Sequence, residues 1–379
     1  MIRLLKISSY YREYLAQFWA RCGARDYEEA YRLLRADRFA SSTFWKETLE
    51  ATGQFEVQEV IYNDAVTQGH WYREKFSGRT PDHSRTILAA QIEAFQPHAI
   101  FVQDYDLIQS GPVPAWKKES PEKRVCFGYN GIGTTNPKAF AGLDFVLTPL
   151  QSIVDLFNSA GVLAFLFKPG FPSSLPFDDN KVRDIAVAFV GGVGTSPEGH
   201  GPRLRFLAEL SRQEPIQFHL SGLGRWEPWR WKQIRRRIFG KADLARDLGG
   251  LGKENRGPLF GLAMYETLNR SRILLNFHVR SARGEAVNMR MYEGTGMGCC
   301  LLTDHAEGLE NKFRIGSEVL SYRSLEEALE LIRVLKKKPE TTRAIGMAGR
   351  QRTLRDHSLE KQILELAGLL QERFHACLR

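Results

Sequence analysis

Two glutamates raise the first chemical question. Glu285 and Glu293 stand eight positions apart, about two helical turns, so a helix beginning near Glu285 would place both carboxylates on one face. Carboxylates so placed can accept hydrogen bonds from the vicinal hydroxyls of a ribose and of a second sugar. A helix N-terminus also attracts glutamate through its dipole alone, and the pair taken by itself leaves both readings open. The same stretch, residues 265–304, supplies Asn276 and His278 at the end of a strand. A polar loop follows, then a helix carrying Asn288, Arg290 and Glu293 that ends near Gly296–Gly298. A second cluster spans residues 184–203: a buried strand, a turn holding Gly191, Gly192 and Gly194, and a helix starting near Pro202. Glycines let a phosphate approach the backbone, and helix N-terminal N–H groups with Arg203, or Arg205 behind it, favour its charge. This glycine run fits neither the dinucleotide fingerprint nor a Walker loop, and strand-to-helix turns rich in glycine are common without a ligand.

These residues need elements to hold them. The chain has 379 residues, 43% hydrophobic and 26% charged, an ordinary globular composition whose length predicts two domains. Short apolar runs alternate with helical stretches, the pattern of an α/β protein with mostly parallel sheets. In the first half the pattern predicts strands at 3–7, 57–61, 99–102, 124–127, 145–147 and 164–167, with helices over 26–34 and 86–95. The stretch 170–180, rich in Pro, Ser and Asp, reads as a linker. A second series of strands follows at 184–190, 216–220, 273–277, 300–303 and 319–322, and helices over 326–337 and 359–374 close the chain. In doubly wound sheets of this kind ligands bind at the C-terminal ends of the strands.

Composition narrows the partners. The net charge is +9 and the pI about 9.3, which suits nucleic acid, an anionic membrane surface or anionic small molecules. No RRM, KH or helix-turn-helix signature appears, which argues against nucleic acid. Much of the excess lies in 225–239, where Arg235, Arg236 and Arg237 follow Trp226, Trp229 and Trp231. Tryptophans beside cations suit a peripheral membrane contact, and equally a packed core with solvated arginines. Lys336, Lys337 and Lys338 read as a solvated helix end. No apolar run approaches the roughly 20 residues of a membrane-spanning helix. The N-terminus reads as a strand rather than a signal peptide, and the five cysteines form neither a disulfide framework nor a zinc site. A reducing cytoplasm is the expected location, with a peripheral position at the inner face of the membrane as a variant of it.

The order of the remaining motifs carries a resemblance. Leu275-Asn-x-His278, Asn288-x-Arg290-x-x-Glu293, Gly298-x-x-Leu-Leu-Thr-Asp304, Gly316-x-Glu318, Gly346-x-x-Gly-Arg350 and His357 follow one another as in the C-terminal domain of the CgeB-like branch of GT-B glycosyltransferases. The chain resembles that domain in register from about Ala186 onward, and the Glu285–Glu293 spacing is similar to the E-x7-E motif of retaining GT-B enzymes. The first half resembles the family's variable acceptor domain loosely, through residues 7–11 and 96–104.

The resemblance implies two Rossmann-like doubly wound domains facing each other across a cleft. It implies an acceptor-side domain over 1–172, a donor-binding domain over 173–360, and a C-terminal helix over 361–379 that packs back on the first domain. It implies sugar transfer from a nucleotide-sugar donor to a carbohydrate or glycoconjugate acceptor, with retention of configuration, no metal and no cofactor beyond the donor. Glu293 then matches the glutamate that holds the donor ribose. Glu285 matches the one beside the transferred sugar, although its local sequence departs from the family's form. Asn276, His278, Asn288 and Arg290 fall where the donor pocket forms, and Arg203 is the candidate for the diphosphate. Asp104 and Asp106 have the D-x-D form of a manganese site in the unrelated GT-A fold. At the end of a first-domain strand Asp104 is instead a candidate to face the acceptor, as are Ser8, Ser9, Tyr10, Tyr11 and the turn 127–133. His70, His219 and His305 read as packed or surface histidines, and 249–253 lacks the P-loop spacing. The alternative is a non-catalytic GT-B-like protein that binds a nucleotide or saccharide, or a surface-layer structural protein.

Overall fold

The computed structural model describes residues 1–40, 42–76, 84–109, 113, 116, 124–131, 134–193, 201–222, 250–252, 254–279 and 282–378. The chain divides into two compact units, Met1–Lys168 with Glu360–Arg379, and Pro169–Leu359.

In the first unit the chain runs β1 (Ile2–Ser8), α1 (Arg12–Trp19), α2 (Tyr27–Ala36), α3 (Ser42–Glu50), β2 (Phe55–Ile61), α4 (Ala65–Lys75), α5 (Ser84–Phe95) and β3 (Ala99–Val102). Then come α6 (Tyr105–Gln109), β4 (Val125–Tyr129), β5 (Phe145–Thr148), α7 (Gln151–Ser159) and β6 (Ala164–Leu166). The strands form one parallel sheet in the order β2-β1-β3-β4-β5-β6. Parallel strands are covered on both faces, which is why β3 and β5 read as unbroken apolar runs. Phe101, Phe127 and Phe145 sit in register on β3, β4 and β5 and stack with ring centroids 4.6 and 4.7 Å apart. Lys6 breaks the apolar pattern. It is fully buried opposite Glu59, 3.9 Å away, and donates to Ser8 Oγ at 2.7 Å. Burial pulls the lysine down to about 8 and pushes the glutamate up to about 7, each toward its neutral form.

In the second unit β7 (Ile185–Gly192), α8 (Gly201–Ser211), β8 (Gln217–Ser221), α9 (Gly261–Asn269) and β9 (Ser271–Asn276) come first. They are followed by α10 (Met289–Gly296), β10 (Cys300–Asp304), β11 (Leu320–Tyr322), α11 (Leu325–Lys337) and α12 (Pro339–Asp356); α13 (Leu359–Leu378) then carries the chain back into the first unit. The sheet is parallel, in the order β11-β10-β9-β7-β8. Alternation along the strands assigns the helices to its faces. Ile273 and Leu275 join Leu204 and Leu207 of α8 and Ala328 and Ile332 of α11 in one core. Leu274, between them, lies against Gly294 of α10, so close that a Cβ there would collide with it.

The 170–180 stretch is not a free linker. Phe171 is 1% exposed, exchanges backbone hydrogen bonds with His357 and Leu359, and lies where a side chain on Gly296 would collide with its ring. The lysines at 336–338 end α11 as its dipole favours, with Lys336 Nζ on Glu214 at 2.9 Å and Arg333 on the other oxygen at 2.7 Å.

Candidate functional site

β7 is flanked by β8 on one side and β9 on the other, so the chain's direction of travel across the sheet reverses between β7 and β9. Ligands of open α/β sheets bind outside the strand ends at such a reversal. Arg203, on the first turn of α8, ties those two ends together. Its guanidinium donates from Nη1 to the carbonyl of Gly192 at 2.8 Å and from Nη2 to the carbonyl of Phe277. Its Cζ lies 5.9 Å from the centroid of the Phe189 ring. Burial lowers its pKa to about 10, with Asp304 opposing the shift, so the side chain remains a cation at neutral pH. A fixed positive charge therefore sits just under the C-terminal edge of the sheet.

The next strand end is built by asparagines. Asn276 Nδ2 donates to Thr303 Oγ1 at 2.9 Å on β10, and Asn288 Nδ2 donates to Asn276 Oδ1 at 3.0 Å. Asn288 Oδ1 accepts from the Arg290 backbone N–H at 2.8 Å, so Asn288 is at once the N-cap of α10 and the clamp that fixes its start to β9. Arg290 reaches over β7, donating from Nε to the Val190 carbonyl at 3.0 Å and pairing through Nη1 with Glu293 Oε2 at 2.7 Å. The Tyr265 hydroxyl donates to the same carboxylate. Burial first, then the charge of Glu293, raises the Tyr265 pKa well above its ordinary value. Glu293 is 7% exposed. Two donors leave its carboxylate with unused lone pairs.

His278 follows β9. Its backbone N–H and its Nδ1 both meet Asp304 Oδ1 at 2.8 Å, and Nε2 faces Met291 Sδ at 3.1 Å. The ring is held on both nitrogens and acts as a spacer between β10 and α10 rather than as an open base.

The structure thus gathers Gly191, Gly192, Arg203, Asn276, His278, Asn288, Arg290 and Glu293 along one edge of one sheet. The helix expected to begin near Glu285 begins later, at Met289, and Glu285 and Glu293 do not share a helical face. The backbone explains this. Arg283 and Gly284 take left-handed conformations, φ 55° and 85°, and Glu285 lies in an isolated bridge with Glu307 that keeps it extended. Asp104 lies in the first unit, where its carboxylate accepts from the Leu107 N–H at 2.8 Å and caps α6. Arg205 points to solvent, while Tyr10 is buried and Tyr11 is exposed. Asn130 braces its own turn through Thr134 at 2.9 and 3.1 Å. His219 is packed, with Nδ1 on the Gly257 carbonyl at 3.0 Å, and burial lowers its pKa. Gly194, the tryptophan-arginine segment 225–239, Gly249 and Lys253 lie outside the described residues. Spacing gave no role to Tyr265 or Asp304. Their partners are 28 and 26 positions away, and only the order of strands in the sheet brings them together.

Residues 203–368 match the protein family described as "Glycosyl transferase-like". This stretch, somewhat under half of the chain, is therefore similar to glycosyl transferase-like domains. No curated protein matches the sequence. Among solved structures, sucrose-phosphate synthase from Thermosynechococcus elongatus is similar at 13% identity and a TM-score of 0.59, over 99% of this chain and 100% of that one. HepE of Anabaena, solved in complex with UDP-glucose, gives 13% and 0.59 over 98% and 100%. AviGT4, a glycosyltransferase involved in avilamycin A biosynthesis, gives 13% and 0.54 over 100% and 98%. At these identities the likeness is one of fold: two parallel-sheet, Rossmann-like units, as in GT-B glycosyltransferases. The matched stretch contains Arg203, Glu293 and the whole asparagine clamp. Among the described residues no helix is long and apolar enough to cross a membrane.

Proposed function

We propose that the chain transfers a sugar from a nucleotide-sugar donor to a carbohydrate or glycoconjugate acceptor, with the donor held at the edge of the second sheet. The observation that carries this reading is the Glu293 carboxylate. It is fixed by Arg290 and Tyr265 beside the reversal between β7 and β9, with acceptor capacity left for two ribose hydroxyls. Arg203 and Arg290 supply positive charge under the same edge, where the diphosphate would leave. Charge fixed in place before the reaction usually does more than any other effect to stabilise a departing anion. HepE is seen with UDP-glucose, which makes UDP the first nucleotide to try here.

Further parts of the proposal rest on the resemblance to the CgeB-like branch: retention of anomeric configuration, Glu285 beside the transferred sugar, no metal and no cofactor. The acceptor side is assigned to residues 1–172 and the donor side to 173–360. Trp226, Trp229, Trp231 and the arginines after them are proposed to reach a membrane-linked acceptor from the cytoplasmic side. Calorimetric titration of UDP into the protein and into Glu293→Ala tests the central claim, and assay of sugar transfer separates an enzyme from a protein that only binds.

A further inference from the structure

A cavity opens at the same sheet edge, between α8 and the start of α11. Its volume is about 390 Å³, near the low end of the roughly 300–1,000 Å³ seen for ligand pockets and suited to one ring rather than a dinucleotide. Phe206, Phe277 and Tyr322 make its apolar wall. Phe206 lies 5.1 Å from Phe277 and 5.2 Å from Tyr322 between ring centroids, the latter pair nearly parallel. Asp304, His305 and Arg323 make its polar wall.

The polar groups have capacity left over. Asp304 receives the His278 contacts, at 2.8 Å, on Oδ1, as well as a longer one from Thr303 at 3.3 Å. Its Oδ2 has no donor among the described residues. The side chains of Arg323 and His305 are exposed and likewise hold no partner among the described residues. A cavity with an aromatic wall, an oriented carboxylate oxygen and an unengaged guanidinium matches a neutral ring that carries both hydroxyls and C–H faces. The hydroxyls donate to Asp304 and accept from Arg323, while the C–H faces cover the rings. An inorganic anion fits less well, because the Asp304 carboxylate forms part of the wall and would repel it.

We propose that this cavity is a subsite for a single monosaccharide ring. It borders the candidate donor site through Asp304, whose other oxygen positions His278. The loop that follows His305 is also joined to the Glu285 segment, through Ala286 N–H to the Glu307 carbonyl and Glu307 N–H to the Gly284 carbonyl, both 2.8 Å. The ring comes either from the glycosyl group of the donor or from the terminal residue of the acceptor. The first source rests on the nucleotide-sugar reading above; the second does not.

The test uses the full chain and ligand-observed saturation-transfer NMR with glucose, galactose, mannose and N-acetylglucosamine, beside calorimetry with UDP and UDP-glucose. At least one free sugar is expected to bind. Arg323→Ala and Asp304→Asn are each expected to weaken that binding by about fivefold or more, the loss of one hydrogen bond. Melting curves confirm folding, and Arg323 is exposed, so its truncation leaves the core intact. Arg323→Ala should leave UDP binding unchanged. If the donor supplies the ring, the advantage of UDP-glucose over UDP shrinks in Arg323→Ala; if the acceptor does, that advantage is untouched while free-sugar binding falls. The proposal is overturned if no sugar binds the parent. It is equally overturned if both variants bind sugar like the parent, or if Arg323→Ala weakens UDP as much as sugar. Failure of the nucleotide site would show instead in UDP titration of the parent and of Glu293→Ala, so the two can fail separately.

Discussion

Replacing Glu293 by alanine removes the acceptor proposed for the donor ribose. Hydrogen bonds from hydroxyls to a carboxylate are worth roughly 1.5–3 kcal/mol each, and two are proposed. Nucleotide affinity should therefore fall by about two to four powers of ten. The same change strands the Tyr265 hydroxyl, which is 4% exposed and donates to this carboxylate. That orphan costs about 1–3 kcal/mol of stability, and at roughly 2–4 °C per kcal/mol the melting point drops by several degrees without loss of the fold. Arg290 keeps its bond to the Val190 carbonyl, so the start of α10 should hold. Glu293→Gln separates the two effects: it keeps one acceptor oxygen for Tyr265 while giving up the charge and the second acceptor oxygen, so it should melt closer to the parent and bind with intermediate affinity. The assay is calorimetric titration of UDP, then GDP, ADP and dTDP, into the parent and both variants, beside melting curves. If Glu293→Ala binds the best of these nucleotides as tightly as the parent does, the donor lies elsewhere and the argument from the carboxylate fails.

Glu285→Ala should slow transfer by more than it weakens UDP binding, measured as initial rate against titration; equal losses would place Glu285 with the nucleotide rather than the sugar. Transfer should persist in EDTA, because Arg203 and Arg290 supply the positive charge. Complete loss restored by manganese would return attention to Asp104 and Asp106. Changing Arg235, Arg236 and Arg237 together to Gln should weaken binding to anionic liposomes in a flotation assay, and binding that does not change removes the membrane proposal.

The inner strands of both sheets were legible because they are buried runs of a few residues between polar turns, and burial on two faces writes itself as largely apolar sequence. β7 and β9 were visible for that reason, and with them the ends that carry Gly192 and Asn276. The start of α10 was not. Eight positions suggested two turns of helix, but Gly284 at φ 85° and the Asn288 cap turn the first of those positions into loop. A periodicity argument counts residues and cannot see where a cap interrupts them. The resemblance to E-x7-E therefore concerns the order of two glutamates, and the task of holding them is divided between a helix for Glu293 and a loop bridge to Glu307 for Glu285.

The polar residues at this sheet edge separate by what already satisfies them. Asn276, Asn288 and His278 engage their groups with one another, with Thr303, with Asp304 and with the backbone of α10. Their chemistry is consumed in fixing the strand ends and the helix cap, so truncating any of them should shift the site rather than delete a ligand contact. Glu293 and Asp304 differ, because each carries a carboxylate only part of whose capacity the protein uses. A buried or half-buried carboxylate held by fixed donors loses little entropy when it accepts another hydrogen bond, since its orientation is already set. Two such carboxylates, one on α10 and one at the end of β10, give the edge two acceptors, each proposed here to meet a hydroxyl-bearing ring. Arg203 adds a fixed cation at the same edge, bridging the ends of β7 and β9. An acceptor for a ribose on α10 and a fixed cation for a diphosphate are what the proposed donor requires, and the Asp304 acceptor serves the proposed ring subsite whether donor or acceptor fills it.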